Sequence, residues 1–107
     1  MDGSVQLEMR FGANNYAPMP VTIARGKGVY LWDDNGRRYI DMMGAYSAAS
    51  FGHCHPRLVH ALTDQARQLD TISRAYFNDR LGACLGRACT LTGMDLALPR
   101  NSGEEAV

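Results

Sequence analysis

Residues 28–41 read Gly28-Val29-Tyr30-Leu31-Trp32-Asp33-Asp34-Asn35-Gly36-Arg37-Arg38-Tyr39-Ile40-Asp41. Two short β-type runs flank an Asp-Asp-Asn-Gly tetrapeptide. Asn-Gly or Asp-x-x-Gly between alternating apolar runs signals a hairpin, because Gly and Asn accept the positive φ that tight turns require. A third run, Val21-Thr22-Ile23-Ala24, precedes the pair, so residues 21–43 are expected to form a hairpin segment.

Working outward, residues 1–20 carry Gly12, Asn14, Asn15, Pro18 and Pro20. These resist regular structure, and an extended N-terminal arm is expected, with Phe11, Tyr16 and Met19 to bury on another surface. Beyond the hairpin lies a small-residue stretch from Gly44 to Gly52. Pro56 then suits the first position of a helix, since its fixed φ is pre-organised and its missing N–H costs nothing there. Leu58, Leu62, Ala66 and Leu69 follow at spacings of four and three and make one apolar stripe. A second helix is expected after Asn78 or Asp79 as N-cap, with Leu81, Cys84, Leu85, Ala88 and Leu91 on one face and Gly93 ending it. Asp95 to Pro99 reads as a short strand leading into a new helix start. The three expected parts are an arm (1–20), a hairpin segment (21–43) and the beginning of a larger α/β domain (44–107).

The chain has 107 residues and 46% hydrophobic content, enough for one small domain or part of one. Its 11 basic residues balance 11 acidic ones, so no net field would recruit nucleic acid or an anionic membrane. No apolar run approaches the roughly 20 residues that span a bilayer, and the N-terminus lacks signal-peptide or transit character. A cytoplasmic protein is the expectation. Three cysteines, Cys54, Cys84 and Cys89, have no framework spacing and read as reduced packing residues.

Chemistry-bearing residues are few. Asn101-Ser102-Gly103-Glu104-Glu105 follows a short apolar run and has two readings. It is an anion site, in which helix-start N–H groups and a close-approach glycine receive a phosphate, or an ordinary Ser N-cap with acidic first-turn residues. The two acids favour the cap, because they already complement the helix dipole and repel a phosphate. His53, Cys54 and His55 lack a second pair of ligands at a suitable spacing and read as a structural turn rather than a metal site. Tyr16, Tyr46 and Tyr76 stand among polar or small residues, where a hydroxyl can reach a ligand or a ring can cap a core. Arg74 is the basic residue best placed to face a pocket. Lys27, the only lysine, lies in a glycine-flanked turn where nothing would desolvate it.

Read in series, Phe11 to Val21, Arg25 to Asp33, Tyr39-Ile40-Asp41, Ala45-Tyr46-Ser47-Ala48, Gly52-His53-Cys54-His55-Pro56, Ser73-Arg74-Ala75-Tyr76-Phe77-Asn78 and Leu98 to Ala106 resemble the ornithine aminotransferases. These belong to the class III, fold type I, pyridoxal-phosphate (PLP) aminotransferases. The glycine-rich turn with its Trp-Asp hairpin and the Gly-His-x-His-Pro loop are similar to class III generally. The Asn-Tyr-x-Pro, Ala-Tyr-Ser-Ala and Ser-Arg-Ala-aromatic-aromatic-Asn segments resemble the ornithine branch more than its acetylornithine or 4-aminobutyrate relatives.

The resemblance implies an α/β fold with an N-terminal arm, a β-hairpin and the first helices of a fold type I transferase, its large domain incomplete. It implies that Tyr16 binds the α-amino and carboxylate end of ornithine, that Tyr46 lines the same pocket, and that Ser102, Gly103 and Glu104 cradle the PLP phosphate. Ornithine and 2-oxoglutarate would be the substrates and a homodimer the assembly. Departures from the pattern are Glu104, where a small or apolar residue is usual, Arg100 for methionine, Tyr76-Phe77 for Phe-Tyr, and Asn14 for histidine. Either the Glu104 side chain points away from the phosphate or the site is impaired. In the family the cofactor lysine, the pyridine-nitrogen aspartate and the substrate arginine lie beyond position 107, so no catalytic residue is assigned here. The chain alone is expected to be inactive, and the alternative is a non-catalytic remnant or a docking piece of a split aminotransferase.

Overall fold

A computed structural model describes residues 3–13 and 15–107. Asn14 lies outside the described residues. The chain divides after Ala66 into two compact units.

The first unit is built on a three-stranded antiparallel sheet in the order β1 (Ile23–Lys27), β2 (Tyr30–Asp33), β3 (Arg38–Ile40). Between β1 and β2, Gly28 takes φ +57° while Val29 does not turn left-handed. That is the pattern of a two-residue type II′ connection. Between β2 and β3, Asp33 N–H donates to Arg37 O and only Gly36 has positive φ (+81°). The loop is therefore the three residues Asp34, Asn35 and Gly36, with glycine at the left-handed position, and Asn35-Gly36 is not a two-residue turn. Asp33 decides this: its Oδ1 accepts from the N–H groups of Asn35 (3.1 Å) and Arg37 (2.7 Å), and its Oδ2 accepts from Tyr39 Oη (2.8 Å). Desolvation pushes the Asp33 carboxyl up, but the bonds from Tyr39, Arg37 and Asn35 outweigh it and hold the acid below its ordinary value.

The strand pleat sorts the side chains. Leu31 shares a face with its cross-strand partners Gly26 and Tyr39, and Trp32 shares the other with Arg25 and Arg38. On that second face Arg25 lies 4.1 Å from the Trp32 ring centre and Arg38 4.7 Å from that of Tyr30. Such exposed stacks each contribute about 0.5–1 kcal/mol.

One expectation for the N-terminal part changes. Gly3–Phe11, inside the segment expected to be extended, forms helix α1. Gln6, Leu7, Glu8, Met9 and Arg10 are all good helix formers, and the breakers begin only at Gly12, which accordingly ends the helix. Helix α2 (Pro56–Gln68) starts at proline as expected, but its apolar stripe is uncovered, with Leu58 and Leu62 exposed.

In the second unit, helix α3 (Leu81–Thr92) ends at Gly93, φ +72°, whose N–H donates to Cys89 O. The residue at the N-cap position is Arg80, which makes no cap bond. Asn78 supplies the acceptor instead, taking the N–H groups of Arg80 (3.0 Å) and Leu81 (2.7 Å). Half-buried positions run Leu81, Leu85, Ala88, Cys89. Cys84 and Cys54 are exposed, so only Cys89 is in a packing position. Asp95 to Pro99 is not a strand. An extended segment needs a neighbour to receive its N–H and C=O groups, and among the described residues none pairs with it. Helix α4 (Gly103–Ala106) closes the chain.

Among the described residues no side chain is fully buried, and Met42, Phe77 and Leu96 stand about nine-tenths exposed or more. The core is as fragmentary as a partial domain implies, because apolar faces of this extent are packing surfaces. No helix is long and apolar enough to cross a membrane among the described residues.

Candidate functional site

Tyr16, in the arm, and Tyr46, thirty residues later, meet directly: their hydroxyl oxygens are 2.6 Å apart. Both side chains are otherwise exposed in this chain, at 70% and 76%. Two phenols sharing one hydrogen bond keep one O–H free to donate and several lone pairs free to accept. That set suits a ligand carrying an ammonium beside a carboxylate. The hydrogen bond with Tyr16, and to a lesser extent desolvation, pushes the Tyr46 phenol above its ordinary value.

Tyr46 reaches this position on an unusual backbone. Gly44, Ala45, Tyr46 and Ser47 have φ of 55°, 48°, 53° and 79°, a run of left-handed residues. For the three that are not glycine this costs on the order of 1–2 kcal/mol each. The turn recovers part of that through Ala48 N–H to Ala45 O, Ala49 N–H to Gly44 O, and Ser50 Oγ to Ser47 O. Its two ends are also tied. Asp41 Oδ1 accepts from the N–H groups of Met43 (3.0 Å) and Gly44 (2.9 Å), and Asp41 Oδ2 accepts from His53 Nε2 (2.6 Å). His53 in turn exchanges both backbone hydrogen bonds with Gly28 at 2.8 and 2.9 Å.

The Gly44 N–H bond first, then the His53 bond, hold the Asp41 carboxyl below its ordinary value. A depressed carboxylate stabilises the fold above its unfolded pKa, and that stabilisation is lost as pH falls through the lowered native value. Neither Asp41 nor the His53–Asp41 link was legible in the sequence as a site. His53 reads as part of a structural turn there, which it is, but its partner twelve residues upstream carries no local signal.

His55 Nδ1 accepts weakly from Arg57 N–H (3.3 Å), and His60 Nε2 faces Asp64 Oδ2 (3.2 Å) one helical turn along. Among the described residues no three His, Cys, Asp or Glu side chains gather at metal-binding distance. Tyr76 and Arg74 are exposed in the second unit, and Lys27 is exposed at the end of β1.

Ser102, Gly103 and Glu104 stand at the start of α4, where both sequence readings have structural content. Ser102 Oγ accepts from Glu105 N–H (3.3 Å), and Glu105 Oε2 accepts from the N–H groups of Asn101 (3.0 Å) and Ser102 (3.1 Å), a complete capping box. Those bonds engage three of the local amides. The N–H groups of Gly103 and Glu104 belong to the first turn, where a helix offers them no partner of its own. A Cβ added at Gly103 would meet nothing within 4 Å, so a ligand atom has room to approach. These donors fit one phosphate group, at the cost of two neighbouring carboxylates. Replacing Glu104 by alanine is expected to tighten a phosphate-bearing ligand at this helix start roughly two- to fivefold, the size of a helix-terminus charge effect. A titration of the full-length protein with such a ligand checks this, and unchanged affinity would mean that the carboxylate does not face the phosphate.

The sequence model of the Aminotransferase class-III family matches residues 11–107. An ornithine aminotransferase of an Exiguobacterium species is 47% identical over 103 residues, covering 96% of this chain and 26% of the relative. Ornithine aminotransferase 1 of Staphylococcus aureus is 45% identical over 107 residues, covering 100% of the chain and 27% of the relative. Among solved structures, an acetylornithine aminotransferase from Elizabethkingia anophelis superposes with a TM-score of 0.93 at 47% identity, over 96% of this chain and 27% of that one. Plasmodium falciparum ornithine delta-aminotransferase gives 0.92 at 45% identity, over 96% and 27%. The chain thus spans about a quarter of the length of the curated relatives it matches.

Proposed function

The chain belongs to the class-III aminotransferases, and from that premise we propose that the whole protein is a PLP-dependent ornithine δ-aminotransferase. It would move the δ-amino group of L-ornithine to a 2-oxo acid such as 2-oxoglutarate, leaving glutamate 5-semialdehyde. PLP, when bound, supplies the electron sink that makes amino-group transfer accessible.

The observation that carries this reading is the 2.6 Å contact between Tyr16 and Tyr46. Ornithine has an amine at each end, and only the distal one is to react. A site that recognises the α-ammonium and carboxylate together therefore settles which amine is presented. The paired phenols offer acceptors for the ammonium and a donor for the carboxylate, and a free α-amine satisfies them where an acetylated one would not. The Gly103 and Glu104 amides, with Ser102 Oγ, would hold the cofactor phosphate.

A homodimer goes with this reading, as the resemblance to the family implies. A cytoplasmic setting is consistent with open thiols at Cys54 and Cys84. The arm (1–20) and hairpin segment (21–43) would precede the PLP-binding domain beginning at 44.

The test is a comparison of L-ornithine with N-acetylornithine as amino donors for the full-length, PLP-loaded protein. The name of the Elizabethkingia structure makes acetylornithine the competing donor. The kcat/KM for ornithine is expected to be at least about tenfold higher, the worth of one hydrogen bond to a charged group. Preference for the acetylated donor would overturn the assignment.

A further inference from the structure

We infer that Asp41 and His53 form a clasp that sets the pose of Tyr46. The inference rests on the reading of Tyr46 as a substrate-recognising residue, but the geometry beneath it is independent of that reading.

The segment from Asp41 to His53 is an eleven-residue excursion between two points 2.6 Å apart, the Asp41 carboxylate and the His53 imidazole. One carboxylate serves both ends. Its Oδ1 takes the amides of Met43 and Gly44, at the entry to the left-handed run, and its Oδ2 takes the ring of His53, immediately after the excursion. The two side chains are partly shielded, 11% exposed for Asp41 and 24% for His53. Both are also anchored to the sheet by their backbones, through Asp41 N–H to Val29 O (2.8 Å) and the double exchange of His53 with Gly28.

A backbone that is disfavoured at three successive L-residues persists only where its surroundings over-determine it. Here the surroundings are these two residues and the turn's own bonds. Loosening the clasp frees the run to relax toward ordinary φ, and the Tyr46 hydroxyl then leaves Tyr16. Neither Asp41 nor His53 touches substrate in this account, and both act through the tyrosine they present.

The experiment places 3-fluorotyrosine at Tyr46 of the full-length, PLP-loaded protein and follows it by ¹⁹F NMR. Asp41→Ala is expected to shift the resonance and lower its titration midpoint, in the direction produced by Tyr16→Phe, because both sever the phenol pair. Asp41→Asn keeps an acceptor for the Met43 and Gly44 amides and is expected to restore most of the parent signal. Should Asp41→Ala not fold, His53→Ala retains the backbone exchange with Gly28 while giving up the carboxylate contact, and is expected to produce the same shift. A resonance and midpoint unmoved in these variants would overturn the clasp. With the unlabelled enzyme, Asp41→Ala is expected to raise the KM for ornithine roughly tenfold with kcat nearly unchanged, the signature of a displaced binding group. A shifted resonance with an unchanged KM would uphold the clasp and refute the substrate role of Tyr46.

Discussion

Tyr46→Phe in the full-length enzyme is expected to lower kcat/KM for ornithine roughly ten- to a hundredfold. Hydrogen bonds to charged groups are worth about 1.5–3 kcal/mol each, and the substitution removes the hydroxyl while keeping the ring. The Tyr16 partner makes the prediction sharper. Because the two oxygens are 2.6 Å apart, deleting either hydroxyl disturbs both, so Tyr16→Phe and the double variant are expected to cost about as much as Tyr46→Phe alone. Steady-state kinetics on the two single variants and the double variant checks this. Losses that multiply would show that the phenols act separately, and an unaltered kcat/KM would remove both from the binding site.

Gly26→Ala is expected to be the most damaging small substitution in the hairpin. A Cβ there would fall 2.8 Å from His53 Cβ and 2.9 Å from its Cγ, inside any real contact distance. The imidazole has no easy retreat, since its backbone is bonded twice to Gly28 and its ring to Asp41. Overpacking of this kind costs about 1–3 kcal/mol. It is also expected to weaken ornithine binding, because the residue forced aside holds the loop of Tyr46. Thermal denaturation together with the ornithine KM checks both effects. A variant with unchanged melting and unchanged KM would mean that His53 moves away at little cost, and the packing account of Gly26 would fail.

Glu104 poses a separate question of charge. The capping box spends Glu105 and Ser102 on closing the helix start, and Glu104 adds a second carboxylate beside the two amides left for a phosphate. The helix start is stabilised by the same charges that would oppose the phosphate proposed for it. That is why the alanine replacement is expected to favour the cofactor while weakening α4.

How far the sequence reached depended on range. The Asp33 to Gly36 turn, the proline start of α2, the Gly93 end of α3 and the Ser102 cap are each decided within a few residues, by φ preferences and side chains that bond their own backbone, and such features are written locally. Even there, tertiary or near-neighbour detail adjusted the outcome. Asp33 drew in Arg37 and lengthened the loop to three residues, and Asn78 supplied the acceptors for α3 from two positions before its N-cap. The helix in residues 3–11 was overlooked because the breakers that suggested an extended arm all lie after it.

Motif order along the chain was enough to indicate the family, since the segments that define it are contiguous stretches at set intervals. What only the folded structure decided is the meeting of residues far apart. Tyr16 and Tyr46 are separated by thirty positions, Asp41 and His53 by twelve, and Gly26 and His53 by twenty-seven. Their contacts depend on where the sheet places Gly28 and on four successive left-handed residues at 44–47, which no propensity of Ala, Tyr or Ser predicts. Local preference selects turns and helices one residue at a time, whereas a hydrogen bond across thirty residues exists only once the intervening backbone has been held in place.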